Sequence, residues 1–204
     1  MLFTREKLGS GYHFKVYSWG PNEVFKVTRY PFCSESNWFG REAKERLVHD
    51  ISLLDKYIGA DFVLPSKIST LPGENKWVVQ QERLDVFNRV NRLTLNDSQR
   101  GLADLQTIAN GAFRMFTDSG FFLDWFGLNF FASDGAKMLT DPDYWALPNL
   151  VIYKNRVRIC DIGLLWGNAS RKPDTLVVPL ELTVWPVYKK LLKIVEKRSG
   201  IKFF

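Results

Sequence analysis

Between Phe121 and Gly163 the chain runs twice through one order of residues: an Asp, an Asn five or six positions later, a β-hairpin, and a second Asp where the hairpin ends. In the first copy these are Asp124, Asn129, a hairpin across Asp134-Gly135, and Asp141 in LTDP. In the second they are Asp143, Asn149, a hairpin across Lys154-Asn155, and Asp161 in CDIG. Asp-Gly and Lys-Asn are ordinary residue pairs for tight hairpin turns. A hairpin between Asn and the final Asp fixes the distance between those two residues. Read alone, either copy is also a plain hairpin with acidic turns.

The order has a chemical sense. Phosphoryl transfer needs one carboxylate to orient or accept the proton of the attacking hydroxyl, and oxygen ligands to hold Mg²⁺ against nucleotide phosphates. Asp, Asn, hairpin and Asp can form such a clamp.

The N-terminal residues add to this. LGSGYHFKVY at 8–17, a turn at Gly20-Pro21-Asn22, and the strand Val24-Phe25-Lys26-Val27 predict three strands, with a glycine turn between the first two. Gly9 and Gly11 let the backbone approach a phosphate and present amides to it. Lys26 stands between Phe25 and Val27, where an unpaired ammonium would be costly and needs an anion, either a phosphate or a carboxylate. Together, LGSGYHFKVY and VFKV resemble the glycine-rich loop and strand lysine of the protein-kinase-like superfamily. Phe14 stands where that family often has a third glycine.

The resemblance implies a nucleotide site and its parts. Gly9, Ser10, Gly11 and Val16 would cover ATP. Lys26 would hold its phosphates and pair with a Glu of the next helix, Glu42 in preference to Glu45. Backbone around Glu82 and Leu84 would read the adenine edge. Asp124 would be the base, and Asn129 with Asp141 or Asp161 would hold Mg²⁺. Spacing along the chain favours Asp124, Asn129 and Asp141. The local match of NLVIYKNRVRICDIG to the family favours Asp161, but Asp143 lies one residue too far from Asn149 and would follow an insertion of about twenty residues relative to the family's spacing. Phe122 and Leu123 replace the usual His and Arg, and Phe126 the usual cation two residues after the base.

The rest of the chain is read around this frame. An apolar stripe at Leu47, Ile51, Leu54 and Ile58 predicts a helix over 37–58 ending at Gly59. Residues 62–65 and 77–81 read as strands about a Pro72-Gly73 turn, and 85–96 as a polar connector. A long helix, capped by Asn96-Asp97-Ser98, runs to about Asp118, and another covers about Leu180 to Lys197. The expected fold is α+β and bilobed. An N-terminal antiparallel sheet plus helix spans 1–84, and a truncated, mostly helical lobe spans 85–204. Only 41 residues follow Gly163, and no Ala-Pro-Glu segment is present. The chain thus resembles the minimal kinases of phages and bacterial effectors.

Composition bounds the function classes. At 204 residues, 46% hydrophobic, the chain is long enough for a large core. No run of about twenty apolar residues appears, so no membrane span is expected. Met1–Ser10 shows no secretory signal pattern. Cys33 and Cys160 lack metal-site spacing and read as reduced thiols of a cytoplasmic protein, within a host cell if it is a phage or effector product. A net charge of +6 suits a nucleotide or an acidic partner. Basic residues are dispersed outside Lys189–Arg198, so nucleic acid is not an expected partner. The resemblance implies an ATP-dependent kinase, with a protein hydroxyl favoured over a small molecule as acceptor. The alternative is a degenerate member that works as a protein-binding module.

Overall fold

A computed structural model describes residues 6–10, 14–28, 41–71, 76–84, 89–96, 98, 100–127, 134–162, 164–166 and 178–204. Gly11, Cys33, the Pro72-Gly73 turn, Asn129 and Gly163 lie outside the described residues, as do the side chains of Ser10, Glu42 and Glu45.

The first strands are β1 (Lys7–Ser10), β2 (Phe14–Trp19) and β3 (Glu23–Thr28). Gly20, at φ +68°, makes the turn between β2 and β3, a conformation that suits glycine. After α1 (Arg41–Tyr57) and a short 3-10 turn at Ala60–Phe62 come β4 (Ser66–Leu71) and β5 (Lys76–Glu82). The five strands form one antiparallel sheet in the order β1-β2-β3-β5-β4. Its central row runs Gly9, Val16, Lys26, Val79, each paired with the next. Lys26 is therefore flanked by strands on both sides.

Helix α1 buries Leu54, followed by Ile58 at its end, against α3 (Gly101–Ser119). The crossing is close because Gly111 has no side chain. A Cβ there would stand 2.5 Å from the Tyr57 carbonyl oxygen and 2.8 Å from Ile58. Gly120, at φ +80°, ends α3 by donating its amide to the Phe116 carbonyl. The chain then enters β7 (Phe121–Leu123).

A second, three-stranded sheet has the order β6-β8-β9, from β6 (Arg89–Asn91), β8 (Ala146–Tyr153) and β9 (Arg156–Ile159). Lys154 and Asn155 turn β8 into β9 with φ of 50° and 60°, as the hairpin reading expects. β10 (Leu164–Trp166) pairs antiparallel with β7. The last helix, α5 (Val178–Ser199), contributes Tyr188, Leu191, Leu192 and Val195 to the core. The C-terminal residues fold back over it, with Ile201 and Phe203 buried.

The structure corrects four local expectations. Asp134-Gly135 is not a hairpin turn but opens helix α4 (Asp134–Thr140). The following Ala, Lys, Met and Leu are good helix formers, Met138 is fully buried, and the Asp134 carboxylate accepts the Tyr144 hydroxyl at 2.9 Å. Residues 62–65 form no strand of the first sheet. Instead Val63 bridges Ile159, and the Leu64 amide donates to the Ile159 carbonyl at 2.8 Å, so this apolar run joins α1 to β9. The neighbouring strand is the more polar SKISTL, an edge strand whose outer side needs no core residues. The connector at 85–96 contains β6 and α2 (Arg92–Asn96), with α2 capped by Asn91 Oδ1 accepting the amides of Leu93 and Thr94. The long helix therefore begins at Gly101, one element later than its expected Asn-Asp-Ser cap.

Candidate functional site

Asp124 leaves the end of β7 and is nearly enclosed, at 7% exposure. Oδ1 of its carboxylate accepts the amides of Gly127 at 2.7 Å and Phe126 at 3.2 Å, and the hydroxyl of Tyr188. No described hydrogen bond falls on Oδ2. Burial lifts its pKa from 3.8 to about 6. The charge of Asp161 adds to the rise, and the bonds from Tyr188, Gly127 and Phe126 oppose it. Asp161 is thus an electrostatic neighbour of Asp124, although 37 positions separate them in the sequence. Topology explains this: β7 and β10 pair with Leu123 opposite Leu164, so the residues just after β7 and just before β10 share one end of the ribbon.

Asn149, in β8, completes the group. Its Nδ2 donates to the Asp124 carbonyl at 2.9 Å, and its own amide to the Trp125 carbonyl at 3.4 Å. With Nδ2 committed, Oδ1 is left as the acceptor end of the side chain. It lies beside Gly127, where a Cβ would come within 3.4 Å of it and where φ is +68°. The Asn149 carbonyl accepts the Cys160 amide at 3.0 Å, which ties β8 to the residue before Asp161. Lys26 reaches the same place from β3, its Nζ donating to the Cys160 carbonyl. Cys160 is a free thiol, raised in pKa by burial and partly drawn back by the Lys26 charge.

Lys26, Asp124, Asn149 and Asp161 are thereby drawn to one locality by four separate segments. Asn149 belongs to the second copy, and Asn129, the Asn expected beside Asp124, lies outside the described residues. Asn149 partners Asp124 of the first copy across 25 positions, not Asp143 of its own. Asp143 is 82% exposed and pairs with Arg92 on α2 at 3.0 Å. Asp141 accepts the Asp143 amide at 3.0 Å, and no described contact joins it to Asp124 or Lys26. Helix α4 lies between Asp124 and Asn149 in sequence. The signal that could have found Asn149 was the hairpin itself: NLVIYKNRVRIC fixes Asn149 beside Cys160, hence beside Asp161.

The remaining expected residues lie along the first sheet. Gly9 faces Val16 in the ladder, with nothing within 4 Å of the position a Cβ would take. Ser10 pairs with Lys15 through the backbone. Glu82 closes β5 exposed, and its Oε2 accepts the Tyr153 hydroxyl at 2.6 Å, linking the first sheet to β8. Leu84 follows, half-buried. Glu42 lies within α1.

Tyr188 had no signal in the sequence. Its ring is fully buried against Phe122 and Phe126, with centroids 5.3 and 5.2 Å away. Phe122 and Phe126 thus form its seat. Among the described residues no group of three His, Cys, Asp or Glu side chains is placed to hold a metal ion. The Asp161 carboxylate and Asn149 Oδ1 are hard oxygen donors of the kind Mg²⁺ takes in ones and twos. Also among the described residues, no helix is long and apolar enough to cross a membrane. No protein-family model, curated protein or solved structure matches the chain.

Proposed function

We propose that the chain is an ATP-dependent phosphotransferase of minimal, bilobed, protein-kinase-like architecture, transferring the γ-phosphate of ATP to a hydroxyl, with a protein favoured as acceptor. The observation that carries this reading is the meeting of Lys26, Asp124, Asn149 and Asp161. Residues 1–84, holding the five-stranded sheet and α1, form the nucleotide lobe. Residues 85–204 form the catalytic lobe.

Each residue has a role that its surroundings support. Lys26 gives a fixed positive charge at the mouth between the sheet and Cys160-Asp161, suited to phosphate oxygens. Gly9 leaves room for a ligand to approach the first strand. Asp124 offers Oδ2 to the acceptor hydroxyl, while Oδ1 is held by three donors. A carboxyl with pKa near 6 is mostly ionised at neutral pH, yet more basic than an ordinary Asp, which suits a general base. Asn149 and Asp161 would hold Mg²⁺, which supplies charge neutralisation on the phosphates.

Incubation with Mg²⁺ and labelled ATP tests the reading. The parent should turn over nucleotide or label itself or an added protein. Lys26→Ala, Asp124→Asn and Asp161→Asn should each lose that activity. ATP that stabilises the parent against heat without being turned over would favour the second reading, a nucleotide-holding module acting through a protein partner. The enclosure of Asp124 among Trp125, Phe126 and Tyr188 is the observation on that side. Neither binding nor turnover would end the phosphotransfer reading and leave the protein-binding module, which needs no nucleotide.

A further inference from the structure

Tyr188 sits 64 residues beyond Asp124, on a helix that the phosphotransfer reading does not otherwise use. We infer that Tyr188 is a positioning residue for that reaction: its hydroxyl, delivered by α5, clamps Oδ1 of Asp124 and so turns Oδ2 toward the acceptor. The inference rests on the proposed function and deepens it.

Three features of the packing carry it. The hydroxyl donates to the same oxygen that already accepts the Phe126 and Gly127 amides, so the carboxylate is held from two sides by backbone and by α5. The two amides come from adjacent residues, and the third donor comes from a separate helix. The ring cannot retreat. Phe122 and Phe126 meet it edge-on, and Trp185, one turn earlier on α5, lies 4.6 Å from Phe122. The helix itself is anchored at its far end by Arg198, whose guanidinium donates to the Met138 and Tyr144 carbonyls.

Asp124 is surrounded by few titratable groups. Asp161 and Tyr188 are the ones that act on it, the first raising its pKa and the second lowering it. The Tyr188 hydroxyl is itself held neutral by burial and by the Asp124 and Asp161 charges. It is a donor throughout the working pH range and not a second base.

The deciding variant is Tyr188→Phe, which keeps the ring and its packing and removes the donor. Two quantities are read. One is the Tyr188 hydroxyl proton, followed by proton NMR as a downfield signal that Tyr188→Phe removes. The other is turnover, split into kcat and KM for ATP. The expected result is loss of that signal, a fall in kcat of roughly ten- to a hundredfold from misplacement of the base, and an unchanged KM. A parent without the signal overturns the clamp, and loss of the signal with unchanged kcat overturns its role in catalysis. A signal present in a parent that shows no turnover leaves the clamp standing and removes the phosphotransfer reading, so the two failures are distinct. If Tyr188→Phe does not fold, the parent gives an equivalent test. A hydroxyl proton bound to a buried carboxylate should appear downfield and shift upfield in Asp124→Asn, and its absence from the parent overturns the clamp.

Discussion

The buried carboxyl of Asp124 makes stability depend on pH in a direction opposite to that of most acidic side chains. Its pKa stands at about 6 against an ordinary 3.8. The folded protein therefore holds that proton more tightly than the unfolded chain between about pH 4 and 6. Stability from this group is fully present below pH 4, falls as pH rises to 6, and levels off beyond. A gap of about two pH units, at about 1.4 kcal/mol each, makes ionisation cost the folded state about 3 kcal/mol. Asp124→Asn removes the ionisation while keeping an oxygen that can accept from Tyr188, Gly127 and Phe126. Urea unfolding of both proteins from pH 4 to 7 isolates the effect, since all other groups are shared. The variant should match the parent near pH 4 and exceed its stability by about 2–3 kcal/mol at pH 7, while being inactive. Parallel pH curves for the two proteins would refute the reasoning, because the carboxyl would then be hydrated or paired in a way its burial does not suggest.

Other expected outcomes follow from the same geometry. Lys26→Ala should abolish turnover while shifting the thermal midpoint little, because its one described partner is a carbonyl at the edge of the site; unchanged turnover would remove Lys26 from the phosphates. Asp141→Ala and Asp143→Ala should keep near-parental kcat/KM, and Asn149→Ala should lose most of it; the reverse pattern would restore the pairing by sequence spacing. Gly111→Ala should destabilise by about 1–3 kcal/mol in denaturant, since the added methyl would meet the Tyr57 carbonyl at 2.5 Å; a neutral result would mean that α1 and α3 separate easily.

How far the sequence could be read depended on whether each signal was local. Lys26 stood out because a charge between Phe25 and Val27 needs a partner wherever the strand lies. Asp124 stood out because a glycine stop and three apolar residues lead into it. The Lys154-Asn155 turn was legible because two adjacent positive φ values demand a particular type of residue pair. Asp134-Gly135 carried the same kind of signal and misled, because a Ser-Asp-Gly start serves a helix N-terminus as well as a hairpin. What decides between them is the burial of Met138, one helical turn on, which depends on α5 and cannot be seen locally.

The pairing of Asn149 with Asp124 failed for a different reason. Spacing in sequence measures distance only when nothing folded intervenes. Helix α4 lies between Asp124 and Asn149 in sequence, and β7–β10 and β8–β9 set the positions of the two residues independently of it. Strand register was therefore the better ruler. Asn149 is bound to Cys160 by the hairpin, Cys160 precedes Asp161, and Asp161 is returned to Asp124 by β10. The same logic recasts the aromatics at 122 and 126. Read one by one, they are missing charges and argue for a dead site. Read with α5 in place, they hold the ring whose hydroxyl reaches Asp124. Tyr188→Phe should therefore lower kcat in a protein that keeps Lys26, Asp124, Asp161 and Asn149.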